Sequence, residues 1–483
     1  MDAKKPRMAF YAAPLFIVAV LMVLAVRYRT LDFVQGSLWA EDGHIFFNGA
    51  NSLGLASLFE PFAGYLHLYP RLVALLSTEF NIQTIPYVFF IGWLIPIILL
   101  RWTIIKVFSE SDHVKKIAFF LPIFLLLMPH SGETFLSLTN AQWWISISLA
   151  LMVCAPEKFG KQSMPVIMLM ALTGPFCLLF APPCAIRSVQ TKSYWVLAVI
   201  LSASAIQIAF LLTSQRDSQA LDPSIGNWFK FIKNLVLFGN RNTLTTIASI
   251  AFWTSTIFIF LKTDSRYRAL LACSAAAVIA SAYAMKGSVG ELSPYASGSR
   301  YFVIPFALIS IATFTCLKKG RATSIACISL IIIFFGSKKL TSQQDMHFSS
   351  YAELSKYENT SIPLAPSRST SPGFYMQVNQ VAHKDHPEST YTLIAGTASV
   401  ASDACSTESA IGFAGTVNIL RPGYVTMRIE TGGKDYEETR NYPAGAQRIQ
   451  LATTKNKGPA NIKITAENGI LAPDIENAYY ICI

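Results

Sequence analysis

Two rhythms divide the chain. From Met8 to about Ser337, long apolar runs alternate with short polar loops; from about Lys338 to Ile483, apolar residues come singly or alternate with polar ones. The first rhythm predicts membrane helices, because crossing a hydrocarbon core takes about 20 apolar residues. About eleven segments are expected, near 8–27, 87–106, 116–128, 142–155, 164–174, 175–186, 194–213, 244–262, 268–285, 301–317 and 322–337. The pair at 164–174 and 175–186 is too short to cross alone. "LMALTGPFCLLFAPPCAI" reads as two half-length helices meeting at Gly174 and Pro175, which end one helix and open the next. Non-helical backbone at that depth is tolerated only inside protein or beside a water-filled cavity.

The second rhythm predicts strands. From Tyr391 onward, "TYTLIAGTASV", "YVTMRIETGG", "QRIQLATT" and "NIKITAEN" alternate apolar and polar at period two, separated by Gly, Pro, Asn and Asp clusters. This is the pattern of an antiparallel β-sandwich. Between the two regions, "SIPLAPSRSTSPGF" is rich in Pro and Ser and marks a loop. The expected organisation is an α-helical polytopic membrane domain over 1–337, a linker or partly helical segment over 338–390, and a soluble β-sandwich-like domain over 391–483.

Composition supports the membrane assignment. Of 483 residues, 52% are hydrophobic and only 14% charged, against roughly a quarter charged in soluble domains. The opening "MDAKKPRMAFYAAPLFIVAVLMVLAVRYR" carries an apolar core of about 19 residues, longer than the roughly 7–15 of a secretory signal. It is expected to be retained as the first span. The net charge of +11 sits largely in short loops between spans, without the basic, aromatic-interleaved stripe that nucleic-acid binding requires. It orients the chain instead. Lys4, Lys5, Arg7, Arg101, Lys106, Lys115, Lys116, Lys158, Lys161, Arg187, Lys192, Lys262, Arg266, Arg268, Lys318, Lys319 and Arg321 sort to one side. The positive-inside rule makes that side, and the N-terminus, cytoplasmic. An odd number of crossings then puts the tail outside.

Cysteine usage agrees with this sidedness. Cys154, Cys177, Cys184, Cys273, Cys316 and Cys327 fall in or at apolar segments, where thiols behave as small hydrophobes. The tail holds two more, Cys405 and Cys482, an even pair suited to a disulfide in an oxidising compartment; two unrelated free thiols are the alternative.

Candidate chemistry gathers in the longer loops of the opposite side, 28–86, 129–141, 214–243 and 286–300. In "WAEDGHIFFNGA", Glu41 and Asp42 enter a short amphipathic, interfacial helix and are followed by His44. As ordinary acids they favour a helix N-terminus. As functional groups, one is a general base, its pKa raised by partial desolvation, while the other, pointing elsewhere along the helix, orients or caps it. Asp32 and Glu60 in the same loop are alternatives. "HSGETFLSLTNAQWW" supplies His130, Glu133, Asn140, Gln142 and Trp143. Amides with an aromatic face suit a sugar, although a Trp belt at the interface gives the same composition. Arg300 and Tyr301 precede a span. Arg near a helix end snorkels, and its planar donors also suit phosphate. His67, Arg71 and Lys286 are further candidates on that side.

Several classes are excluded. The segments hold almost no ionisable residue away from their ends, unlike ion-coupled transporters and pumps. Gly-rich nucleotide loops, HExxH, paired CxxC and GxSxG motifs are missing. No cofactor and no metal are expected.

"AEDGHIFFNGA" followed by "LFEPFAGYLHLYPRL", with "LTNAQWW" and "GSRYF", resembles the GT-C superfamily of integral membrane glycosyltransferases, and most of all its bacterial serotype-converting O-antigen glucosyltransferases. The likeness spans roughly residues 8–337 and leaves out the tail. It implies a polyprenyl-phosphate sugar donor entering from the outer leaflet of a bacterial inner membrane. It also implies a lipid-linked or surface glycan as acceptor and membrane lipid as surroundings. A carboxylate, here Glu41 or Asp42, would take the acceptor proton; the hydroxyl would displace polyprenyl phosphate with inversion; Arg300 or Arg71 would steady the leaving phosphate. A lipid-linked glycan flippase and a noncatalytic assembly protein displaying its β domain are the alternatives.

Overall fold

The structure is a computed structural model. It describes residues 5–30, 38–214, 220–239, 242–261, 264–296, 298–316, 320–336, 340, 346–365, 374–379, 392–394, 397–400, 411–431, 434–453, 460–466 and 470–482. These residues form two compact units interleaved along the chain, one drawn from 1–33, 55–74 and 89–342 and the other from 34–54, 75–88 and 343–483.

The first unit is helical, and its helices fall where the apolar runs are. The expected segments appear as Lys5–Tyr28, Ile85–Val107, Ala141–Cys154, Met164–Ala171, Phe176–Thr191, Trp195–Thr213, Thr243–Leu261, Ser265–Ala284, Val303–Thr315 and Arg321–Phe335. Eleven crossings, however, are not supported. Among the described residues, three helices are long and apolar enough to cross a membrane, over Ile82–Val107, Trp195–Thr213 and Ser265–Ala284. Other apolar helices are shorter, among them Ala141–Cys154 and Arg321–Phe335. The run expected at 116–128 breaks into Asp112–Ile117 and Phe120–Leu125.

Ala141–Cys154 is the centre of this unit, with all of its residues buried. A helix apolar on every face belongs inside a core. Trp93, Phe135, Phe180 and Phe306 share one core with it. The two half-length helices meet as expected, with Gly174 at φ +90°, a left-handed geometry that glycine takes without a Cβ clash. A polar knot holds this turn. Gly174 N–H donates to the Leu66 carbonyl at 2.9 Å. Leu66 N–H donates to Gln207 Oε1 at 2.9 Å, and Gln207 Nε2 donates to the Leu66 and Gly174 carbonyls at 3.3 and 3.1 Å. Gln207 lies within the apolar helix Trp195–Thr213, fully buried. One amide therefore satisfies backbone groups that lipid cannot.

The second unit groups the described residues of 34–54 with the tail, whereas the sequence reading sets them in 1–337. The presumed linker 338–390 contains a helix, Phe348–Leu354, and an antiparallel hairpin, Thr360–Pro363 paired with Tyr375–Val378. That hairpin receives the acid-bearing segment. Asn48 Nδ2 donates to the Tyr375 carbonyl at 3.0 Å, and Gln377 N–H donates to Asn48 Oδ1 at 2.7 Å. A Cβ on Gly43 would stand 2.6 Å from Leu364 Cδ1, so a larger residue there would have to displace the Leu364 side chain.

The remainder of the tail is two antiparallel sheets. One orders Leu471–Cys482, Ile411–Ile419 and Gly445–Ala452; the other orders Thr392–Ile394, Thr397–Val400, Ala460–Ala466, Gly423–Thr431 and Lys434–Tyr442. Val425, Met427 and Ile429 point inward from one sheet at period two, and Phe413, Ile449 and Leu451 from the other, into one shared core. All four stretches read as strands from sequence are strands. Ile411–Ile419, Lys434–Tyr442 and Leu471–Cys482 were not anticipated. Six cysteines, Cys154, Cys177, Cys184, Cys273, Cys316 and Cys327, are free and buried, as their apolar settings imply. Cys405, and with it the expected pairing with Cys482, lies outside the described residues.

Gln207→Leu should lower the stability of the detergent-solubilised protein by about 1–3 kcal/mol, the cost of leaving a buried N–H unpaired. A thermal melt that does not move would mean that the knot holds nothing.

Candidate functional site

The loop between Phe120–Leu125 and Ala141–Cys154 is fixed before any ligand arrives. Arg27, at the end of the first helix, donates from Nη1 to the Leu126 and Met128 carbonyls at 2.6 and 2.9 Å. Two indoles, of Trp93 and Trp144, donate to the same Thr134 carbonyl at 2.8 and 3.1 Å. Asn140 turns back and donates from Nδ2 to the Glu133 carbonyl at 3.0 Å. It is a loop brace, not an open amide.

On this frame Glu133 meets Arg300. Arg300 Nη1 lies 2.6 Å from Glu133 Oε1, and Glu133 Oε2 accepts from the Ser299 hydroxyl at 3.2 Å and from Arg300 N–H at 3.3 Å. Gly298, at φ +74°, makes the turn that presents Ser299 and Arg300 together. Burial alone would lower the Arg300 pKa, yet the Glu133 carboxylate, with Tyr301 and Tyr65, raises it above the usual guanidinium value. The Arg300 side chain is 37% exposed against 15% for Glu133. Glu133 engages one edge of the cation and leaves the rest of the fork facing outward.

Behind the pair stands His130. Gly132 N–H donates to its Nδ1 at 2.8 Å, which places the proton on Nε2. Nε2 then lies 3.1 Å from Thr134 Oγ1 and 3.2 Å from Ser299 Oγ, with Ser131 Oγ 2.6 Å from Ser299 Oγ. Burial, reinforced by Arg27, pushes the His130 pKa down to about 3. The imidazole is neutral and structural.

Beside the ion pair, Trp143 packs edge-on against Tyr301 and Phe176, with centroids 5.4 and 5.1 Å away. Arg300 itself lies over the Tyr301 ring at 5.3 Å. Gln142 and Trp143 are only 5% and 8% exposed. Among the described residues, Gln142 Oε1 and Trp143 Nε1 nevertheless have no hydrogen-bond partner. Gln142 Oε1 lies close to Gly174, and the Trp143 ring packs on Phe176. An acceptor and a donor on consecutive residues, buried and unspent, are each open to a ligand group, and a hydroxyl can answer either.

The remaining candidates divide between the units. In the helical unit His67 and Arg71 are buried. His67 stacks on Tyr65 at 4.6 Å, and burial pushes its pKa down to about 3, so it offers no proton chemistry near neutrality. Glu60 is exposed and acts electrostatically on Arg71. Lys286 lies over the Tyr283 ring at 5.1 Å.

Glu41, Asp42 and His44 lie in the other unit. Asp42 opens a π-helix, Asp42–Phe47, and is fully buried. Glu41 stands at the N-cap position with helical backbone angles and makes no side-chain cap bond, so the ordinary capping role is not what it performs. It is half-buried, and its Oε2 has no partner among the described residues. π-turns of this kind concentrate at functional sites. His44 is exposed, its Nδ1 3.2 Å from the Tyr375 carbonyl. Asp32 lies outside the described residues.

Sequence reasoning passed over Ser131, Ser299, Phe176 and Gln207. Gln207 had a readable signal, a lone amide within an otherwise apolar run. The two serines had none, because their role depends on contacts between residues 131 and 299. Among the described residues, no group of three or more His, Cys, Asp or Glu is placed to hold a metal ion.

Folded His130 and His67 take a proton only near pH 3, whereas unfolded histidine takes one near 6.5. Between those values the unfolded chain binds more protons. Stability should therefore be full above about pH 6.5 and fall progressively as pH drops toward 3. Melting temperatures across that interval test this, and His130→Asn should flatten the profile. No family profile, curated protein or solved structure matches the chain.

Proposed function

We propose that this chain is an inverting membrane glycosyltransferase of the GT-C type. It transfers a hexose, glucose first among candidates, from a polyprenyl-phosphate donor to an O-antigen or other surface glycan. The observation that carries the reading is the pair of buried, unpartnered polar atoms on Gln142 and Trp143, walled by Tyr301 and Phe176 and bordered by the Arg300–Glu133 pair. Hydroxyl recognition, an aromatic wall and a half-committed guanidinium are what a sugar attached to phosphate requires.

In this reading Arg300 steadies the departing phosphate. Its Glu133 partner fixes the fork's orientation, so little side-chain freedom is lost on binding. Glu41 is the preferred base over Asp42, because it is half-exposed with an uncommitted carboxylate oxygen, whereas Asp42 is fully buried. Glu41 accepts the proton of the acceptor hydroxyl as that oxygen bonds to the anomeric carbon and the bond to the phosphate oxygen breaks. The N-terminus is cytoplasmic, the shorter apolar helices complete the expected eleven membrane segments, and the β domain is periplasmic in a bacterial inner membrane.

The test is purified protein in liposomes with polyprenyl-phosphate glucose and a lipid-linked glycan acceptor. Transfer with inversion is expected. Glu41→Gln should slow it by about 10²–10⁴-fold, the usual contribution of a general base, and Arg300→Ala should depress kcat/KM more than it depresses folding yield. Full activity in both Glu41→Gln and Asp42→Asn would remove the proposed base.

A further inference from the structure

A second site lies at the other end of the buried helix. Eleven residues beyond Trp143, or about 16 Å at 1.5 Å per residue, the helix ends at Cys154, whose carbonyl accepts from Arg187 Nε at 2.9 Å. Next to Arg187 is a cavity of about 370 Å³ whose walls include Glu110, His113, Arg187, Asp264, Arg266 and Tyr267.

Its cations differ in what they have left to give. Arg187 is engaged, with Nη1 on Gln190 at 3.0 Å and on Ser265 Oγ at 2.5 Å, and Nη2 3.6 Å from Glu157. Arg266 spends two of its five donors, on the Val107 carbonyl at 3.1 Å and on Glu157 at 3.2 Å. His113 Nε2 is buried and has no partner among the described residues. The helix Ser265–Ala284 begins at the same wall, and no side chain caps it. The Tyr267 N–H already bonds the Asp264 carbonyl at 3.1 Å, so the Ser265 and Arg266 N–H groups and the positive end of the dipole are what an anion would meet.

The acids set a second requirement. Glu110 is exposed and ion-paired with Lys158, and Asp264 is exposed. They disfavour a ligand that is negative throughout and favour one carrying a positive group beyond its phosphate. Position decides between a lipid and a free metabolite. Phe108 follows the helix that ends at Val107, and Ser265 opens another, both long and apolar enough to cross a membrane. The cavity thus sits at the ends of two candidate membrane helices, the level at which a span meets lipid headgroups.

We propose that this cavity binds the phosphoethanolamine headgroup of a membrane lipid. Arg266, His113 and the first N–H groups of the Ser265–Ala284 helix hold the phosphate, while Glu110 and Asp264 face the ammonium. The full chain, purified in detergent, is exposed to equal amounts of phosphatidylethanolamine and phosphatidylglycerol and examined by native mass spectrometry. Phosphatidylethanolamine should be retained at least ten-fold more, should be displaced by soluble O-phosphoethanolamine, and should resist inorganic phosphate at the same concentration. Arg266→Gln should reduce retention at least ten-fold, Arg266→Lys should restore part of it, and Glu110→Gln should erase the preference over phosphatidylglycerol. Where Arg266→Gln melts below the working temperature, His113→Phe gives the same readout from a wall residue outside the ion pairs. Equal retention of the two lipids, displacement by inorganic phosphate alone, or unchanged retention in a folded Arg266→Gln or His113→Phe protein would overturn the proposal.

Discussion

A helix buried along its whole length can meet polar partners only at its two ends, and the helical unit is organised around one such helix, Ala141–Cys154. Its sides are packed mostly against apolar groups. The backbone donors at its first turn and the carbonyls at its last have to be answered by neighbouring segments. At the C-terminal end Arg187 supplies the answer from an adjacent helix. At the other end the loop 129–140 is braced by Arg27, two indoles and Asn140. Polar residues therefore gather at both poles of an apolar rod. Both candidate binding places are outgrowths of that requirement.

The same logic explains why the Glu133–Arg300 pair should not be counted as a stability device. Its members are partly exposed, and pairs of that kind contribute little to folding. What the pair contributes is orientation. Glu133 accepts from the Arg300 side chain and is itself fixed by the Arg300 backbone N–H and the Ser299 hydroxyl, so the cation is oriented by an already positioned carboxylate. His130, neutral at physiological pH, locks Ser299 from behind. A guanidinium fixed in this way meets an incoming anion with less entropy to lose.

Helix positions were legible in the sequence to within a few residues, because apolar periodicity and Gly-Pro punctuation are local signals. The turn at Gly174 and the four tail strands were readable for the same reason. Length was the weak point. Hydropathy marks a run as apolar without saying whether lipid or protein surrounds it, and Ala141–Cys154 is apolar because it is buried in protein. Membership of the units was not readable either. Asn48 carries no local sign that it will pair with Tyr375 and Gln377. Gly43, set close against Leu364, looks like any loop glycine. At the candidate site the residue types were right, while their commitments were not: Arg300 reads as a free cation and is half-engaged, and Asn140 reads as a ligand and is a brace.

The hairpin that seats the acid segment carries a further implication for biogenesis. Asn48 and Tyr375 are 327 positions apart. During translation the stretch around Glu41 emerges early, but the strands it rests on are made only after the helical region is complete. Until then this stretch has no place to settle, and its π-turn has nothing to pack against. The bonds that seat this stretch therefore form only once the hairpin has been made, and a ribosome stalled before codon 360 leaves Asn48 without its Tyr375 and Gln377 partners.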